Sequence, residues 1–152
     1  MKITVVNQTD DKINSKRLSH ALSEVLESLQ QKKLRNKKNL TEKKEITFVF
    51  LPTDQMKAIN TQYRGKKKPT DVLSFASVEP DSLGELLFCL PVLKKQAKLQ
   101  KHSLDHELLY MMIHGVLHLL GYDHEVSKKE EKLMFQIQDS CFEHVRHLPR
   151  IF

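Results

Sequence analysis

Three histidines stand in an apolar run: "HGVLHLLGYDH", residues 114–124, flanked by Leu108, Leu109, Met112 and Ile113. Packing alone does not ask for polar rings there. On a helix, His114 and His118 lie one turn apart on the same face, about 6 Å along the axis. Two imidazoles at that spacing can hold one metal ion. Gly121 is a natural C-terminal cap, because glycine takes a left-handed backbone without a Cβ clash. The chain can then return and bring His124 to the same ion. Three neutral nitrogens leave a fourth position for water, as catalytic zinc sites do. Imidazole also suits nickel and copper, so the ligands alone do not select the metal.

Glycine within a helix costs about 1 kcal/mol relative to alanine. Gly115 therefore points to a close approach beside His114. It also stands where helix-borne zinc proteases carry their glutamate base. The spacing admits a hydrolase of a peptide or small ester, but without that base. Asp123 and Glu107 are the acidic neighbours. Either could orient an imidazole or assist proton transfer from behind the ligands. His102 and His106 repeat the four-residue spacing without a third partner and read as solvated. His20, His144 and His147 read the same way.

A second stretch, "YRGKKKPTDVLSF" (63–75), gathers charge. Arg64 can fork onto a phosphate. Lys66, Lys67 and Lys68 add positive field, and by themselves fit a solvated loop. The net charge of +6 also fits a polyanionic partner.

The elements that must position these residues follow from periodicity. "ITVVNQ" (3–8) is β-rich. A helix runs from Ser15 to about residue 30, and a basic, polar connection (30–44) reads as a solvated loop. "EITFVFLP" (45–52) is a strand. Thr53 or Asp54 caps a helix ending near Arg64 and Gly65. Strands at 72–77 and 83–90 flank a turn, Pro91 opens a helix to about His102, Asp105–Leu120 is a helix, and Ser127 begins the last one. The order β-α-β-α-β-β-α-α-α implies one α+β domain over 1–152. A small mixed sheet of about four strands would pack with about five helices, with the metal site at the end of a central helix. Strand order does not follow. Cys89 and Cys141 are expected as buried core thiols rather than a bridge. No run reaches the roughly 20 apolar residues of a membrane span, and the first residues do not read as a signal peptide. The expected compartment is the cytoplasm.

Together, "HGVLHLLGYDH" and "YRGKKKPTDVLSF" resemble the YbeY family of bacterial endoribonucleases, from about the 45–52 strand to the last helix. The resemblance implies a zinc-type ion on His114, His118 and His124, one per chain, with Arg64 and His114 as catalytic residues. It implies cleavage of single-stranded regions of ribosomal RNA, small-subunit maturation, ribosome quality control, and ribosomal partners rather than a membrane. Lys66, Lys67 and Lys68 would then bind RNA. Two departures stand out. Gly84 is followed by Glu85 where the family commonly has aspartate, and Met134 is followed by Gln138 where it often has glutamate. A non-catalytic RNA-binding assembly factor with a structural metal is the other reading.

Overall fold

Alternation in "EITFVF" splits a strand into two faces. Ile46, Phe48 and Phe50 are fully buried on one face and pack with Leu18, Leu22, Val25 and Leu29 of the first helix. On the other face, Val49 and Leu51 join Met56, Leu73, Leu87 and Cys89 in a smaller core. The sheet therefore needs helices on both sides.

The computed structural model describes residues 1–148 and 150–152. Its elements are β1 (Lys2–Asn7), α1 (Ser15–Gln30), α2 (Asn39–Glu42), β2 (Glu45–Phe50), α3 (Thr53–Arg64), β3 (Val72–Ala76), β4 (Ser82–Phe88), α4 (Leu90–Gln100), α5 (Leu104–Leu119) and α6 (Lys128–Val145). The four strands form a mixed sheet in the order β1-β2-β4-β3. β1 pairs parallel with β2, β2 parallel with β4, and β3 antiparallel with β4. The expected α+β mixed sheet is present.

Among the described residues there are six helices where about five were expected, because the 30–44 connection is not a solvated loop. Leu40 of α2 is buried. Arg35 forks onto Glu130 with contacts of 2.7 and 2.5 Å, and Asn36 Nδ2 donates to the Leu120 carbonyl at 2.9 Å. These contacts lie more than 80 residues apart in sequence, outside the reach of any local pattern. Several boundaries also shift by a residue or two. α3 begins at Thr53 with Pro52 in the cap position, so neither Thr53 nor Asp54 caps it. β4 stops at Phe88, since Cys89 caps α4. α4 ends at Gln100 rather than His102, closed by Lys101 at φ +58°. Both cysteines are free and buried, as expected.

Gly115 marks where α5 crosses the sheet. A Cβ there would lie 2.8 Å from Leu86 Cδ2. The close neighbour is thus a β4 side chain rather than backbone or substrate. This contact sets how near α5, and with it His114, lies to the sheet.

Candidate metal centre and cleft

Ser103 caps α5 by accepting from the His106 N–H at 3.1 Å, and the helix then carries His114 and His118 to its last turns. Gly121, at φ +100°, reverses the chain. Tyr122 is buried beneath the Arg35 guanidinium, 4.8 Å from its ring centroid, and its hydroxyl accepts from the Arg35 N–H at 3.0 Å. The anchored turn returns His124 to the helix. One ligand nitrogen from each of the three histidines lies within 4.8 Å of the others.

The His114 tautomer follows from its neighbour. Gln138, fully buried on α6, donates from Nε2 to the Tyr110 carbonyl at 3.1 Å. Its Oε1, 3.0 Å from His114 Nδ1, must therefore accept, and Nδ1 carries the proton. The lone pair is left on Nε2. That atom faces His118 Nε2 at 3.1 Å.

These residues fit a divalent cation. Burial holds the His114 pKa below the ordinary imidazole value, with Gln138 partly opposing it. Burial, then the neighbouring His114 and His124, pushes His118 down to about 4. Both rings are therefore neutral near pH 7, the state that ligates metal. His124 Nδ1 is buried without a hydrogen-bond partner. An unsatisfied buried polar atom costs about 1–3 kcal/mol, and a cation would satisfy it.

Glu107, expected behind the ligands, does not reach them. It pairs with His102 Nε2, near the start of α5. His102 and His106 are not solvated either: both are half-buried, and their rings stack at a centroid distance of 3.9 Å. A helix start packed against α6 explains this, because His106 also meets Phe142 at 4.4 Å. His20, His144 and His147 are exposed as expected. Asp123 lines the cleft beside the histidines, and its Oδ1 accepts from the Glu125 N–H at 2.9 Å.

The histidines open onto a cleft of about 660 Å³. Arg64, Lys66 and Lys68 line one wall, from α3 and the loop after it. Lys67 is exposed but is not among the lining residues. α5 and α6 contribute Tyr110, Met111 and Phe135 to the lining. Arg64 Nη2 donates to Glu125 Oε1 at 3.0 Å, and both residues line the cleft. Sequence reasoning missed Glu125 and Phe135 and noted Gln138 only as a lost charge. The usable signal for Gln138 was an amide beside the apolar stripe Met134, Ile137 and Cys141 of α6.

The chain matches the family model described as Endoribonuclease YbeY over residues 4–146. It is 43% identical over 143 residues to the endoribonuclease YbeY of Bdellovibrio bacteriovorus, covering 94% of each chain. It is 41% identical over 143 residues to that of Persephonella marina, covering 90% of this chain and 87% of the relative. The solution structure of a Thermotoga maritima protein matches with a TM-score of 0.64 at 32% identity, covering 95% of this chain and 89% of that one. Sequence and fold agree, and the chain belongs to the YbeY endoribonuclease family.

Proposed function

We propose that this chain is a metal-dependent endoribonuclease that cuts single-stranded RNA in the maturation of small-subunit ribosomal RNA. The observation that carries this reading is the cluster of His114, His118 and His124 opening into a cleft that Arg64, Lys66 and Lys68 also line. Family membership supports the reaction class.

His114, His118 and His124 would hold one divalent ion, and zinc is the ion that the family resemblance implies. When bound, such an ion supplies Lewis acidity toward a phosphate oxygen and lowers the pKa of water. Gln138 holds the proton on His114 Nδ1 and so keeps Nε2 available. Arg64 supplies a planar cation for the extra charge of the phosphoryl transition state. Lys66 and Lys68 draw the polyanion in. Asp123, one of three carboxylates lining the cleft with Asp71 and Glu125, would assist proton transfer from beside the histidines.

Ribosomal RNA, and with it the ribosome, is the proposed partner, and the cytoplasm the proposed place of action. No helix among the described residues is long and apolar enough to cross a membrane. A peptidase reading is disfavoured, because Gly115 occupies the position of the glutamate base and packs on Leu86.

The test is one purified sample assayed for bound metal and for cleavage of single-stranded RNA, duplex RNA and a peptide. The expected result is about one ion per chain and cleavage of single-stranded RNA alone, lost with a chelator and restored by metal. RNA cleavage that persists in metal-free protein overturns the reading.

A further inference from the structure

The two walls of the cleft differ in chemistry. The lining from α3 and its following loop carries Arg64, Lys66 and Lys68, with Asp71 at its far end. The wall from α5 and α6 carries Phe135 and Met111, both only partly buried although they sit beside the histidines. The Phe135 ring centroid lies 6.1 Å from that of His114 and 5.9 Å from that of His124. A phosphate held between the histidines and Arg64 has its own nucleotide within reach of this wall. The backbone of that nucleotide is anionic and suits the lysines. Its base is flat and apolar on its faces and suits an aromatic ring.

We propose that Phe135, flanked by Met111, is a nucleobase subsite on which a base next to the cleaved phosphate stacks. Nothing in the cationic wall can discriminate single-stranded from duplex RNA, since both carry phosphates. A stacking subsite can, because a paired base is already stacked and must leave its helix to reach Phe135. The subsite would thus supply the preference for single strands. It requires no sequence readout, since every base has a π-face. Tyr110 supports the wall rather than the base: its hydroxyl is engaged, donating to Asp139 Oδ1 at 2.6 Å.

This inference rests on the endoribonuclease reading, and its test separates the two. Phe135→Leu keeps an apolar side chain of similar reach but removes the π-face. Phe135→Tyr keeps the face. Binding is measured with metal-free protein and a short single-stranded RNA carrying 2-aminopurine, and with the same strand made abasic. Cobalt affinity of each variant is titrated in parallel. The expected result is a roughly five- to hundredfold weaker RNA affinity for Phe135→Leu, from the usual worth of one stacked base. Phe135→Tyr should restore it, with 2-aminopurine quenching seen in wild type and lost in Phe135→Leu. Cobalt affinity should stay at the wild-type value in both. Abasic RNA should bind wild type and Phe135→Leu equally. If Phe135→Leu binds intact RNA as wild type does, or loses as much affinity for abasic RNA, the subsite is wrong while the nuclease reading stands. If wild type binds no RNA at all, the nuclease reading fails and this inference with it.

Discussion

Arg64 Nη2 lies 3.0 Å from Glu125 Oε1, tying the last residue of α3 to the residue after the third histidine. Both residues line the cleft, and about a third of the Arg64 side chain is exposed. A phosphate entering the cleft must compete with this carboxylate. Exposed pairs are worth about 0.2–1 kcal/mol. Glu125→Gln is therefore expected to lower KM for RNA by up to about fivefold. Arg64→Ala is expected to lower cleavage about 10²–10³-fold with metal content unchanged, and Arg64→Lys to restore only part. Steady-state kinetics on metal-loaded variants checks all three. Wild-type turnover by Arg64→Ala would remove Arg64 from the reaction.

Metal content should depend on the cluster and not on the other i, i+4 pair. His114→Ala and His118→Ala are expected to lose most bound ion. His102→Ala should keep it, because His102 turns to Glu107 instead. Elemental analysis decides, and a full ion complement in His114→Ala would contradict the ligand assignment.

Gln138 should matter to metal affinity without touching the metal. Gln138→Leu removes the acceptor for His114 Nδ1–H and is expected to weaken zinc binding about 10- to 100-fold. Gln138→Glu offers an acceptor again and should recover much of the loss. Competition titration against a chelating dye measures both. Equal affinity for wild type and Gln138→Leu would show that the hydrogen bond does not fix the tautomer.

Acid should destabilise the metal-free protein through His118. Its folded pKa, about 4, lies below the ordinary 6.5. Between those values the unfolded chain binds more protons, so stability rises with pH across the window. The contribution is full above about pH 6.5 and is lost as pH falls toward about 4. One proton gives at most about 1.4 kcal/mol per pH unit. Urea unfolding in chelator, from pH 4 to 7, should show a shallower slope for His118→Asn. Identical slopes would show that the ring is not buried as a neutral group.

RNA binding should weaken with salt. Lys66 and Lys68 line the cleft and Lys67 does not. Each single-strand phosphate contact contributes about −0.7 to the slope of log affinity against log salt. Replacing Lys66 and Lys68 with Gln is expected to make the slope shallower by about 1.4, and replacing Lys67 to leave it unchanged. Titrations of metal-free protein at several salt concentrations measure this, and an unchanged slope in the double variant moves the contact elsewhere.

What the sequence determined by itself was whatever repeats over a few residues. The i, i+4 spacing of His114 and His118 with the turn at Gly121 was enough to name the histidine cluster that could hold a metal, because a helix and its cap are local objects. Alternation in β2 and the apolar stripe of α1 were legible for the same reason. The tertiary structure decided what depends on distant residues meeting. The strand order β1-β2-β4-β3 places α5 over β4, so that Gly115 meets Leu86. Gln138 stands 24 residues from His114, and Glu125 61 from Arg64. Glu107 was misread because adjacency to a motif in sequence is not adjacency in space, and His102 was misread as solvated because its partner Glu107 and the neighbouring His106 ring meet it only in the fold. Seven residues along a helix is about 10 Å, and at that distance Glu107 finds a nearer partner.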